Sequence, residues 1–508
     1  MPNPLIGRSN MYVLALVFSL TCFVAVSTFY FNSRVASVFH PFTYYLLFHG
    51  LVFVFRPILS VIYDYKFIYS LYHFTPSLSD KLTVIFASNL GFLTFALFCL
   101  RFGWAPMRFG KDAVTEAERT RLAPIFYAIL PVCAPIAIYS LYSLYTNAGE
   151  GALYSTMVVD RATGTQINTS GNGYLVEAQI MLASIGAIFA WLCRFRLWSL
   201  LPLLAFVILR GGIGGRGPFI MALVAVLLLW LYEHRQRRPN FIAIAIIGAT
   251  ILLFSKVGED RGQFIRHALG TDTAATYRTY GSQASTLRPL EGMDLGNLEY
   301  FEYLVYAIPQ RTGTYSYFLD NLQVFTDPIP RALWPGKPVG APFNEIFLFD
   351  YGRPMGMTRS LPGEGWFSYG WIGVIVVCGA WGAALGALYR RFATGPQNSM
   401  VTAAYMMFLP IMVVAFRDGA IVTILRQSLF LLSPIAVWAV FARLAGVPTA
   451  SEVREMLDLK ARLGTRRNRA ANAVGDPPSP SSPAPRAERR RLAAALPRPR
   501  ARRQPSRA

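Results

Sequence analysis

Charge is scarce in this chain. Only 15% of its 508 residues are charged, against 54% hydrophobic. A soluble protein of this length carries more charge and shorter apolar runs, so a soluble globular domain is excluded. Carboxylates are scarcer still, 27 Asp and Glu facing 48 Lys and Arg. Cysteine is limited to Cys22, Cys99, Cys133, Cys193 and Cys378, all in or beside apolar runs, with no Cys-x-x-Cys pair. That pattern speaks against a disulfide framework or a thiolate metal site and leaves small buried residues. No metal-ligand spacing is visible, so neither metal nor cofactor is expected. No small-residue cleavage site follows the first apolar run, which reads as a retained helix rather than a removed signal. Solenoid-period repeats are missing, as are the paired halves typical of many transporters.

What is present is a series of apolar runs of about 17 to 25 residues, long enough to cross a bilayer core. Eleven spans are expected, near residues 11–31, 41–63, 82–101, 122–146, 174–193, 197–210, 217–232, 240–256, 366–389, 399–416 and 419–442. The fold expected is an all-α polytopic membrane protein with one long external loop. Residues 1–256 hold eight helices, 257–365 the loop, 366–445 three more helices, and 446–508 a basic tail. The tail is rich in Pro, Ala and Arg, too poor in apolar residues to bury a core, and reads as disordered. It holds about half of the +21 net charge. In a soluble chain that charge would point to nucleic acid; here it fixes topology or touches anionic lipid heads. The other basic stretches, 101–121, 194–196, 233–240 and 390–391, fall on one side, which the positive-inside rule makes cytoplasmic. Eleven spans place the N-terminus outside, although Arg8 and the polar stretch near residues 63–81 leave that end open by one span.

Three features then share the opposite side. The first is "GGIGGRG" (211–217), with Arg210 just before it and Arg216 within it. Glycines let backbone approach a ligand, and Pro218 suits the first turn of the next helix. Peptide N–H groups and the Arg216 fork would meet there, as a phosphate requires. The bland reading is a tight turn with snorkelling arginines. The second is the long loop. Its stretch 299–325 has helix-like apolar spacing, and "IPRALWPGKP" (329–338) sets Arg331 and Lys337 around Trp334 on a proline-stiffened path. Cations there run against the positive-inside bias, and Trp334 is placed to stack on a sugar or anchor at the interface. The third is "FRDGAIVTILRQSLF" (416–430). Arg417 and Asp418 sit at a span's outer end, with pairing to each other as the bland reading. Arg426 lies nine residues on, about 13 Å deeper at the helical rise. An arginine at that depth needs a partner or a function, and Arg56 in the second span poses the same question.

Among the external carboxylates Asp320, Asp327, Glu345, Asp350 and Glu364, most read as solvated. Glu364, in "LPGEGWFSYGWIG" (361–373), lies where the loop re-enters the membrane. Two roles are open for it, a general base or an ion-pair partner of Arg359. Asp320 and His267 are the fallback bases.

In their order, these four motifs resemble the O-antigen and exopolysaccharide repeat-unit polymerases, the Wzy type. The resemblance spans residues 200–430, and Pro-Arg-x-x-Trp-Pro-x-Lys-Pro is its most specific piece. Gly215 stands where serine is usual in the glycine-arginine turn. The resemblance implies a GT-C-like glycosyltransferase of the bacterial inner membrane, with its site on the periplasmic side. Donor and acceptor would both be undecaprenyl-pyrophosphate-linked glycans. Arg216 and Glu364 would be catalytic, and Arg210, Arg331, Trp334, Lys337, Arg417 and Arg426 would bind substrate. Membrane lipids, a chain-length regulator and a flippase would be partners. A leaving lipid pyrophosphate would explain cations without a metal. Two other readings stand beside it: a lipid-linked glycan ligase or related glycosyltransferase, and a polysaccharide flippase or transporter.

Overall fold

In lipid a backbone must satisfy its own hydrogen bonds, so apolar runs of this length become helices. A computed structural model of the chain shows this among the described residues, apart from one short hairpin of β1 (Met157–Val159) and β2 (Gln166–Asn168). The structure describes residues 4–109, 112–146, 157–159, 166–168, 173–212, 216–241, 290–292, 295–329, 333–338, 343, 346–352, 358–395, 398–447 and three residues beyond. Those three, Glu452, Glu455 and Leu459, are helical and exposed, and they are all that is described of the unit Ser451–Ala508. The disordered tail expected for 446–508 therefore falls almost wholly outside the described residues.

Among the described residues seven helices are long and apolar enough to cross a membrane, and they make the chain an α-helical multi-pass membrane protein. They lie within α1 (Pro4–Asn32), the run α2 (Pro41–His49) to α3 (Arg56–Tyr63), α5 (Leu78–Gly103), α6 (Asp112–Thr146), α12 (Leu361–Thr394), α13 (Ser399–Asp418) and α14 (Ile421–Leu444). Three expected spans are shorter apolar helices, Glu177–Leu192, Leu197–Arg210 and Ile220–Glu233, below the roughly 20 residues a span needs. They belong to α7 (Met181–Leu192), α8 (Leu201–Gly212) and α9 (Arg216–Glu233). Between the first two, Arg194 and Phe195 take left-handed backbone and end the helix. The expected span 240–256 lies outside the described residues.

The two ends of the bundle differ in charge. At one end Arg237 donates to the Met107 carbonyl (2.6 Å), Arg238 to the Phe31 carbonyl (3.2 Å), and Arg119 pairs with Glu233 (2.6 Å). Tyr389 and Tyr405 bond there to the Ala105 and Phe39 carbonyls. The basic loops thus gather at one end, as expected. At the other end lie the start of α5, the start of α12 and the turn between α13 and α14. Tyr12 of α1 packs there against Leu78 and Leu82, so the chain enters at the non-basic end.

α10 (Asn297–Ala307) is the long loop's one substantial described helix. The helix-like spacing over 299–325 is realised only this far, because Pro309 lacks the N–H a further turn needs. Beyond it comes the single-turn α11 (Gln323–Thr326); the short α4 (Phe67–Tyr72) lies earlier in the chain. α12 begins at Leu361, so Glu364 sits inside its first turn rather than ahead of a span at 366. The backbone breaks at Tyr369 and Gly370, which sets residues 361–368 off from the rest of α12.

Among the described residues α12 and α5 make the most extensive helix contact. A Cβ at Gly382 would lie 2.8 Å from the Phe95 carbonyl oxygen, and one at Gly386 would meet the Cys99 carbonyl oxygen. Small residues allow this approach, and in lipid close packing supplies much of helix association. Gly386→Leu should therefore separate the pair, at a cost of about 1–3 kcal/mol or more from overpacking. The expected result is a lowered thermal midpoint and loss of monodisperse protein in detergent; an unchanged midpoint would refute this contact.

Candidate functional site

The non-basic end of α12 carries a buried charge centre. Ser360 caps the helix, its hydroxyl accepting from Gly363 N (3.3 Å). Arg359, just before the cap, lies over the Phe367 ring at 3.8 Å. Its Nη1 donates to Glu364 Oε2 (2.8 Å) and its Nη2 to Asp320 Oδ2 (2.6 Å). Arg359 is 6% exposed and Glu364 3%. Burial alone would pull the guanidinium down, but the carboxylates of Glu364 and Asp320 outweigh it and hold the Arg359 pKa above its ordinary value. The Tyr300 side chain of α10 also bonds to Arg359.

A second set of bonds ties the α13–α14 turn to this centre. The Arg417 carbonyl accepts from Ser360 N (2.9 Å) and Asn297 Nδ2 (2.8 Å). Asn297 also donates to the Thr358 carbonyl at 2.7 Å. Gly419 has φ +74°, and a Cβ there would lie 2.5 Å from the Ser360 carbonyl oxygen and 2.8 Å from Glu364 Cβ. The two motifs, more than forty residues apart in sequence, are in direct contact.

The expected site residues are placed as follows. Of the two roles for Glu364, the structure shows the ion pair with Arg359. Asp320 and Asp327 are ion-paired rather than solvated, Asp327 with Lys337 at 3.7 Å, whereas Asp350 is exposed. Arg417 is exposed and makes no ion pair among the described residues. Asp418 is hydrogen-bonded to Thr423 instead. Arg426 stands on α14, five residues from its start, so it lies about 8 Å in rather than 13 Å; the turn at 419–420 resets the count. Its partner is Glu177, at 3.8 Å. Arg210 is half-buried in the last turn of α8. Arg216 opens α9, the helix start expected of it, and a Cβ at Gly217 would meet nothing within 4 Å among the described residues. Trp334 is 37% exposed. Lys337 Nζ turns back to the Asp327 and Ile329 carbonyls (2.9 and 3.2 Å). Arg331, Glu345, His267 and the side chain of Arg216 lie outside the described residues. Among the described residues no group of three His, Cys, Asp or Glu is arranged to hold a metal ion.

One centre escaped the sequence reading. Arg56 is fully buried, and its Nε lies 2.9 Å from both carboxylate oxygens of Glu299 on α10. It also donates to the carbonyls of Leu290, Glu291 (3.2 Å) and Gly292 (3.4 Å). A π-helical stretch, Gly50–Phe55, precedes it and shifts the register of the second span. Beside it Glu302 accepts from Tyr69 OH (2.5 Å), while Glu291 caps α4 by accepting from Lys66 N and Phe67 N (both 3.0 Å). Lys81 lies over the Tyr69 ring at 5.0 Å. The available signal was Arg56 itself, which needs a carboxylate, and Glu299 and Glu302 at one-turn spacing within an apolar helix pattern.

No known protein family, curated protein or solved structure matches this chain.

Burial pushes the Glu302 carboxyl up to about 7, against the opposing pull of Lys81 and the Tyr69 hydroxyl. An acid whose folded pKa exceeds its unfolded value binds its proton more tightly when folded. Its contribution is complete below the ordinary carboxylate range and is lost as pH rises through about 7. The thermal midpoint should therefore fall between pH 5 and pH 7.5, and Glu302→Gln should flatten that fall. An equally steep profile in the variant would show that another group is responsible.

Proposed function

We propose that this chain is an integral-membrane glycosyltransferase that polymerises undecaprenyl-pyrophosphate-linked oligosaccharide repeat units into O-antigen, capsule or exopolysaccharide. The observation that carries this reading is Arg417. Its carbonyl is committed to two hydrogen bonds and its guanidinium is exposed, with no ion pair among the described residues. It stands beside the Arg359–Glu364–Asp320 centre at the non-basic end. A fixed backbone with an available fork suits an anionic group at a membrane surface. The helix start at Arg216, where Gly217 meets nothing within 4 Å among the described residues, adds a second such place. By the positive-inside rule the basic end faces the cytoplasm, which puts this chemistry on the periplasmic side of the inner membrane.

In the proposed reaction an acceptor sugar hydroxyl attacks the anomeric carbon of the glycan on its lipid carrier. The new glycosidic C–O bond forms as the bond to pyrophosphate breaks, and the electron pair leaves on the pyrophosphate. The hydroxyl proton passes to a carboxylate. Cations at the developing charge lower the barrier electrostatically.

Deleting the gene and sizing the lipid-linked glycan tests the reading. Single repeat units are expected; full-length polymer left on its carrier would mean a ligase, and repeat units stranded on the cytoplasmic face a flippase. Arg216→Ala should abolish polymer, a loss of about 10²-fold or more, with the protein still accumulating. Arg216→Lys should recover little, since a point charge lacks the fork; normal chain length in Arg216→Ala cells would sink the assignment. Glu364→Gln separates its two roles. As base it would lose about 10²–10⁴-fold in turnover with substrate still bound, whereas as the partner of Arg359 it would lose protein level first.

A further inference from the structure

We propose that Tyr315, Tyr317 and Tyr369 form a platform on which a sugar ring of the lipid-linked glycan rests, beside the Arg359 centre. The inference rests on the glycosyltransferase reading and names a subsite for its substrate.

The three rings meet as a cluster. Tyr317 and Tyr369 have centroids 5.6 Å apart, Tyr315 and Tyr369 5.9 Å, and Tyr315 and Tyr317 6.4 Å. Their planes are tilted against one another by 51°, 61° and 77°, which makes a corrugated surface instead of a closed stack. Tyr317 is 50% exposed and Tyr369 43%.

The backbone is shaped to hold this set. Ser316 N donates to the Phe367 carbonyl (3.0 Å) and Tyr317 N to the Ser368 carbonyl (2.9 Å), which fastens the loop to the first part of α12. Tyr317 and Phe318 both take left-handed backbone, at φ 47° and 64°. That conformation is uncommon for residues with a Cβ and persists where the surroundings impose it. α12 breaks at Tyr369 and Gly370, and a Cβ at Gly370 (φ +56°) would lie 2.7 Å from Tyr315 Oη. Glycine therefore lets Tyr315 close against the break. At the same junction Ser316 and Ser368 are buried, and their hydroxyls have no hydrogen-bond partner among the described residues.

Two arguments favour a sugar over lipid as the occupant. A tyrosine that only marks the lipid interface needs no neighbour, whereas here the backbone brings two loop tyrosines onto a third. A pyranose offers C–H groups on its face and hydroxyls on its rim, and tyrosine answers with an apolar face and a polar tip. Position agrees. Past the break Ile372, Ile375 and Val376 are exposed on one side of α12, as in a lipid-facing stripe. The platform thus sits where the helix leaves the lipid, the level at which a carrier-linked glycan begins. The charge centre is adjacent: Phe367 carries its ring against Arg359 at 3.8 Å, and Asp320 accepts from Arg359 at 2.6 Å.

The test uses the full chain in phosphatidylethanolamine–phosphatidylglycerol nanodiscs. The probe is the single-repeat lipid-linked glycan extracted from a gene-deletion strain. Tyr317→Ala combined with Tyr369→Ala should weaken probe binding about tenfold or more and raise KM by a similar factor, with kcat and the thermal midpoint near wild type. Tyr317→Phe with Tyr369→Phe keeps the ring faces and should restore most of the affinity. Wild-type binding by the alanine variant would overturn the platform and leave the rings to the lipid interface. A phenylalanine variant as weak as the alanine one would also overturn it, as would a loss of binding that tracks a lowered thermal midpoint. A deletion strain that accumulates no single repeat units is a separate outcome: it removes the glycosyltransferase reading, and the platform falls with it.

Discussion

A guanidinium withdrawn from water must be matched by carboxylates and carbonyls, or the charge becomes too costly to bury. Two buried arginines impose that requirement at the non-basic end of this protein. Arg56 is answered by Glu299 and by the carbonyls of residues 290–292. Arg359 is answered by Glu364, Asp320 and the Tyr300 side chain. Both answers come largely from the long loop, so the same ion pairs that neutralise the arginines fasten that loop to the membrane helices. α10 takes part in both, with Glu299 toward the second span and Asn297 and Tyr300 toward α12 and α13. A helix so tied on two sides is a rigid support, and a site needs one if its groups are to be held in place.

The support explains how Arg417 can be both fixed and available. Its position is set through its carbonyl, by Ser360 N and Asn297, and its side chain makes no ion pair among the described residues. Arg359 is the reverse case, with its side chain consumed by two carboxylates at 2.6 and 2.8 Å. Side chains committed in this way hold the architecture; uncommitted ones at the surface are left for a ligand. Lys337, written in the sequence like a second ligand-facing cation, belongs to the committed kind, because its ammonium is bonded into its own loop.

Much of the architecture was legible from hydropathy alone, because lipid permits little but helices for such runs. The side-by-side placement of the basic loops also followed, from charge counted over short connections. What could not be read was distance. Arg56 finds its partner 243 positions away, and no local pattern encodes that. Glu299 and Glu302 stand in a stretch legible only as helix-like, and their buried partners lie far off in sequence. The depth of Arg426 was misjudged because it was counted from Arg417 across the turn at Gly419, whereas α14 begins only at Ile421. Glu364 was legible as a residue of consequence with two roles open, one of them the pair with Arg359; what only the fold adds is Asp320 on the same guanidinium.

The charge of the α12 centre bears on how the proposed transfer would be divided. Two carboxylates, Glu364 and Asp320, face the one guanidinium of Arg359, and Asp418 lies within electrostatic reach of it. Arg417 and Arg426 act on Asp418 as well, so the surplus lies at the contact itself, where two carboxylates face one guanidinium. Such a centre is poorly suited to hold a pyrophosphate by itself, because like charges in a low-dielectric surrounding repel strongly. It is well suited to receive a proton, since one proton would remove the surplus negative charge. The glycine-rich entry to α9 has the opposite balance, with Arg210 and Arg216 close in sequence, no acid in its first turn and open backbone at Gly217. Within the proposed reaction the acid-rich centre would therefore serve the acceptor hydroxyl and the arginine turn the leaving pyrophosphate. Arg417 is exposed beside the first of these.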